Sequence, residues 1–133
     1  MSQKHAKEHS GQHELLTMAA DTATEGITIS DMLTPDQPLI YVNDAFETLT
    51  GYAREEAIGK NCRFLQGRRT DPSAVSRIRK AIDDGENLQV ELLNYKKDGT
   101  PFWNRLSLAP IKDATGTITH YVGIQSDVTE LRK

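Results

Sequence analysis

The chain has one cysteine, one tryptophan and three phenylalanines in 133 residues, and no long apolar run. A single cysteine makes no internal disulfide, and its simplest setting is a reducing, cytoplasmic compartment. No stretch approaches the ~20 apolar residues that span a bilayer, and the opening MSQKHAKEHSGQH has no apolar centre of a secretion signal. Neither sign of charge dominates, with 16 basic and 19 acidic residues. The formal net charge is −3, so neither nucleic acid nor an acidic membrane surface is an expected partner. Three of the four histidines (His5, His9 and His13) fall in the polar N-terminal stretch. They would share one helix face and suit a metal, but Ser10-Gly11 interrupts that face and nothing apolar lies along it. They read as a solvated tail, and no metal site is expected.

What is present suits one domain with one core, large enough to enclose a mid-sized ligand. Residues 1–13 read as a flexible tail. Leu15, Met18 and Ala19 open a short amphipathic helix in an N-terminal flanking segment, 14–25. GITISD and LIYVN read as strands joined by the turn TPDQP. Asn43 or Asp44 caps a helix over AFETLT, which Gly51 ends; REEAIG and GKNCRFLQG supply a short helix and a tight helical piece. TDPSAVSRIRKAIDDG carries an N-cap at Thr70 or Asp71, Pro72 at the first helical position, Gly85 beyond the end and an apolar stripe of Val75, Ile78 and Ile82. The last third reads as three strands: a hairpin turning at Asp98-Gly99, then THYVGIQSDVT. The expected fold is α+β, five antiparallel strands with helices on one face, over a core of 26–129. Residues 130–133 begin a C-terminal flanking helix.

Strands alternate faces. Asn94 shares a face with Val90 and Leu92, Asn104 with Phe102, Leu106 and Leu108, and Gln125 with Tyr121 and Gly123. An otherwise apolar sheet face therefore carries one carboxamide on each of three strands. A buried amide left unpaired costs about 1–3 kcal/mol, so three imply a shared polar partner. Amides both donate and accept, which suits the edge of a flat heterocycle. Gly123 would let a ring lie near the backbone. Arg63 and Arg79 suit a phosphate, held by forked hydrogen bonds. Asn61 and Gln66 would add neutral donors, and Arg68 and Arg69 are nearby alternatives. A phosphorylated planar heterocycle fits both halves, flavin mononucleotide (FMN) being the obvious member of the class.

GKNCRFLQG, RIRKAI, LLNYKKDGTPFWN and YVGIQSDVT together closely resemble the light–oxygen–voltage (LOV) photoreceptor domains of the PAS superfamily, from about Gly26 to Thr129. The resemblance implies a PAS fold enclosing FMN, which the two arginines favour over FAD. It implies that Cys62 is the photoactive thiol, joining flavin carbon C4a reversibly under blue light. Asn61, Arg63, Gln66 and Arg79 then look like ribityl and phosphate ligands. Asn94 and Asn104 look like partners of the pyrimidine edge, and Gln125 like the hydrogen-bond switch at N5. Thr28, Phe64, Leu65, Val75, Ile78, Leu92, Leu106, Leu108 and Gly123 look like pocket wall. LOV domains commonly signal through flanking helices, so the chain is expected to be a short LOV protein or a sensor piece cut before its effector, forming a homodimer through its flanking elements.

Two rival functions differ in what Cys62 does. A flavin-binding PAS redox sensor needs no thiol chemistry, and NCRFLQ argues against it. A cysteine-dependent enzyme needs a general base, and no histidine lies in the motif, so no enzymatic activity is expected.

Overall fold

The structure is a computed structural model that describes residues 18–19 and 23–132. The 1–13 tail and most of the 14–25 flanking segment lie outside the described residues; Met18 and Ala19 are helical. Five antiparallel strands form one sheet: β1 (Gly26–Asp31), β2 (Leu39–Val42), β3 (Leu88–Tyr95), β4 (Pro101–Lys112) and β5 (Ile118–Asp127). Their spatial order is β2-β1-β5-β4-β3, so the chain's last strand sits at the centre, beside its first. Between β2 and β3 run α1 (Asp44–Thr50), α2 (Arg54–Ala57), a 3-10 turn (Cys62–Leu65) and α3 (Pro72–Asp84). A second 3-10 turn, Thr129–Arg132, follows β5.

Local chemistry sets these boundaries. Asn43 caps α1 by accepting from Phe46 N at 3.0 Å, and Gly51 ends it with φ +77°, a left-handed conformation that glycine adopts without strain. Asp71 caps α3 through Ser73 N at 2.9 Å, Pro72 fits the first turn, and Gly85 closes the helix at φ +68°. Asn43 also works at long range. Its Oδ1 accepts from Ile27 N at 2.8 Å and its Nδ2 donates to the Glu25 carbonyl at 3.0 Å, tying the start of α1 to β1.

Two apolar clusters hold the helices to the sheet. One joins Leu39, Val42, Phe46, Ala57 and Leu65, with Tyr52, Cys62 and Phe64 packed against it. The other joins Ala74 of α3 to Val90, Leu92 and Leu106, with Ile78, Leu88 and Leu108 alongside. The Tyr121 hydroxyl reaches across from β5 to the carbonyls of Ala81 and Glu86, at 3.1 and 2.8 Å, and fixes the C-terminal end of α3. No helix among the described residues is long and apolar enough to cross a membrane.

Candidate functional site: a carboxamide-lined cavity

Between the two clusters the packing is left open. The cavity has a volume of about 110 Å³ and opens to solvent at its mouth. Its floor is the inner sheet face: Thr28, Leu92, Asn94, Asn104, Leu106, Leu108, Gly123 and Gln125. Its roof is the 3-10 turn and α3, through Cys62 and Ile78. Asn61, Arg63 and Gln66 stand at the side where it meets a second, outer pocket, lined also by Val75 and Arg79.

The three carboxamides are buried, Asn94 at 4% exposure and Asn104 and Gln125 at 1% each. Strand register brings them to one face: Leu92 pairs with Asn104, Asn94 with Phe102, and Leu106 with Gln125. Asn104 Nδ2 donates to Asn94 Oδ1 at 2.9 Å, and Gln125 Nε2 donates to Thr28 Oγ1 at 3.2 Å. Asn104 Oδ1 and Gln125 Oε1 are buried with no hydrogen-bond partner among the described residues. Unpaired buried acceptors are costly, so a native floor with two of them is built for a donor from outside the chain.

Gly123 has a steric reason to lack a side chain. A Cβ there would stand 2.7 Å from Thr28 Oγ1, the residue paired with it across β1 and β5. The site of the missing methyl is filled by the hydroxyl that holds Gln125.

Cys62 is half-buried, open to the cavity it lines and packed behind against the Phe46 cluster. Burial pushes its thiol up to about 11, so it is a neutral thiol at physiological pH. Arg63 follows it in sequence but is turned away. Its guanidinium pairs with the Asp36 carboxylate, with side-chain exposures of 58% and 61%. Among the described residues, no cation offsets the desolvation of the sulfur.

Of the residues singled out in the sequence, Cys62, Gln125, Asn94, Asn104, Thr28, Asn61, Arg63, Gln66, Ile78, Leu92, Leu106, Leu108 and Gly123 come together on the cavity. Arg79 and Val75 lie in the outer pocket. Leu65 and Phe64 do not line the cavity. Leu65 fills the apolar cluster under the 3-10 turn, and Phe64 stacks edge-on with Tyr52 at 4.8 Å. Sequence reasoning missed Ser30, Met32 and Gln37, and it named Tyr121 on the amide face and Ile82 on the helix stripe without assigning either to the site. Ser30 was within reach, because period-two alternation puts it on the face of Thr28.

The family model described as the PAS domain matches residues 24–130. A solved light-oxygen-voltage domain, from work on a flavin analogue, superposes with a TM-score of 0.83 at 48% identity, covering 88% of this chain and 87% of that one. The chain is a LOV domain of the PAS family. The LOV domain of the Erythrobacter litoralis blue-light activated histidine kinase agrees, with a TM-score of 0.78 at 47% identity, covering 80% of this chain and 98% of that one. Among curated relatives, Blue-light-activated histidine kinase 1 of Erythrobacter litoralis is 51% identical over 105 residues, 79% of this chain and 29% of its own length. Adagio protein 3 of Arabidopsis thaliana is 55% identical over 106 residues, 73% of this chain and 17% of its own. This LOV domain thus spans under a third of each of those relatives.

Proposed function

We propose that this LOV domain is a blue-light sensor that binds FMN between the carboxamide floor and Cys62, and reports light through a reversible bond between the Cys62 sulfur and flavin carbon C4a. The observation that carries it is the cavity floor: two buried acceptors without partners among the described residues, lining the same cavity as a neutral thiol. These residues fit a flavin. Asn94 and Asn104 have the donors and acceptors that the polar pyrimidine edge needs, while Leu92, Leu106, Leu108 and Ile78 supply apolar contact for a flat ring. Asn61, Gln66, Arg63 and Arg79 are the polar groups on the side where the ribityl chain and phosphate would leave. When bound, the flavin supplies the blue absorption and an electrophilic ring carbon.

The chain supplies the rest. A ring seated between roof and floor would leave little room for water at the thiol, and the fixed place of Cys62 would make bond formation effectively unimolecular. Its neutral state suits a thiol that gives up both sulfur and proton. This argues against a sensor that uses a resting thiolate. Gln125 has one donor on Thr28 and an acceptor uncommitted, so turning its terminal amide changes what β5 presents to the cavity. β5 ends at Asp127, and the 3-10 turn after it begins with Thr129, whose hydroxyl accepts from Trp103 N at 2.9 Å, while the Arg132 guanidinium lies 3.6 Å from the Trp103 ring centroid. A change at Gln125 is thereby one short strand from the C-terminal flanking segment, where an effector or a second copy of the chain would read it.

The test is absorbance of purified protein before and after blue light. The expected result is a yellow protein whose visible band bleaches in light and returns in the dark, while Cys62→Ala keeps the band and loses the bleaching. A colourless wild type with no flavin released on denaturation, or bleaching that survives in Cys62→Ala, contradicts the proposal.

A further inference from the structure

The ion pair at the cavity mouth has no part in the light chemistry. Asp36 and Gln37 sit in the β1–β2 turn with φ of +68° and +51°, the two non-glycine left-handed residues among those described. Left-handed backbone is uncommon for residues with a side chain, and aspartate tolerates it better than most. The turn is held there from several sides. Asp31 accepts from Leu33 N at 2.9 Å and from the Thr34 hydroxyl at 2.7 Å, and Gln37 N donates to the Thr34 carbonyl at 3.0 Å. Asn61 Nδ2 donates to the Asp36 carbonyl at 2.8 Å. So braced, the turn presents the Asp36 carboxylate to Arg63, 27 residues on in the chain.

That arrangement has a consequence for binding. Arg63, Asn61, Gln66 and Gln37 line both the cavity and its outer pocket, with Arg79 on the outer side. A phosphate entering there needs the guanidinium that Asp36 already holds. It must displace the carboxylate and then lie near it. The Asn61 bond keeps the Asp36 backbone at the mouth even when Arg63 swings away, so the negative charge stays close.

We propose that Asp36 is the specificity-determining residue of this site: its carboxylate competes internally for Arg63 and sets how strongly the cavity prefers phosphorylated over unphosphorylated flavin. The assignment rests on the flavin reading above. The flavin ring is held elsewhere, by the amide floor, so Asp36 acts on the phosphate alone. With Asp36 neutralised, Arg63 is free to take the phosphate at no cost of a broken pair, and the local field becomes more positive. The pair is exposed and screened by water, which limits the effect to a few-fold.

The experiment titrates flavin-free protein with FMN and with riboflavin, following flavin fluorescence, and reads the ratio of the two dissociation constants. Asp36→Asn is the central variant. It removes the charge, and asparagine tolerates the same left-handed backbone. The expected result is a preference for FMN raised about two- to fivefold at low salt, with riboflavin affinity nearly unchanged and the gain shrinking in ~1 M salt. Asp36→Gly, which suits the turn equally, must shift the ratio in the same direction. Arg63→Gln must lower the preference, and adding Asp36→Asn to it must raise the ratio by less than the same substitution does beside an intact Arg63, because only the repulsion of the carboxylate is then removed. A ratio unchanged or lowered in Asp36→Asn, with both flavins still binding, overturns the role of Asp36 and leaves the flavin reading intact. Wild type that binds neither flavin overturns both.

Discussion

The floor and the mouth of the cavity are both polar, but they are polar in opposite ways. The floor carries neutral amides, nearly inaccessible, set on one face by strand register, with Asn104 donating to Asn94 and Gln125 to Thr28. The mouth carries full charges on long, exposed side chains that pair with a turn. A buried neutral group left unpaired is costly and has few alternative positions, so the floor dictates what ring chemistry is accepted. An exposed ion pair is weak and easily exchanged, so the mouth tunes retention without deciding identity. The division lets one site be strict about the ring and adjustable about the tail.

The comparison breaks most visibly at the floor. Asn104→Leu should lower flavin affinity about 10–100-fold, because a matched buried hydrogen-bonding group is lost. Thermal unfolding of the same variant without flavin should show only a modest loss, because the substitution removes an acceptor that has no partner among the described residues but also takes from Asn94 Oδ1 the donor that Asn104 Nδ2 supplies. A titration giving unchanged affinity would show that the floor does not select the ring.

Gly123→Ala probes the floor's packing. The added Cβ would stand 2.7 Å from Thr28 Oγ1, so that side chain must move and release Gln125. A loss of about 1–3 kcal/mol is expected in denaturant unfolding. Gly59→Ala serves as the contrast: its φ is +91° but nothing lies within 4 Å of the added atom, so only backbone strain is added.

At physiological pH the smallest effect is that of the Cys62 thiol, which shows only in alkaline solution. Burial raises the Cys62 thiol from its ordinary 9.0 to about 11 in the folded chain. Below pH 9 it is neutral in both states and stability does not depend on it. As pH rises from 9 toward 11, the unfolded chain loses the proton while the folded chain keeps it, so stability falls. The slope is at most about 1.4 kcal/mol per pH unit. Denaturation of flavin-free wild type should therefore steepen with pH across that window relative to Cys62→Ala, and parallel curves would show that the sulfur is not desolvated.

How much of this could be read from sequence follows from how local each signal is. The caps at Asn43 and Asp71, the glycine stops at Gly51 and Gly85 and the Asp98-Gly99 turn depend on neighbours within four residues, and the chain folds there as those signals say. The three amides were legible because strand alternation is strict. The second role of Asn43 and the pairing of Asp36 with Arg63 were hidden. They join residues 16 to 27 positions apart, across turns whose geometry no local pattern fixes.

A crystal structure grown and measured in darkness tests the central claim most directly. The account predicts a flavin in the cavity, with the Cys62 sulfur within about 4 Å of a ring carbon and the Asn94, Asn104 and Gln125 amides within hydrogen-bonding distance of its polar edge. A flavin seated with its ring away from that sulfur, or a floor whose amides pair only with the protein around a ligand-free cavity, would contradict it.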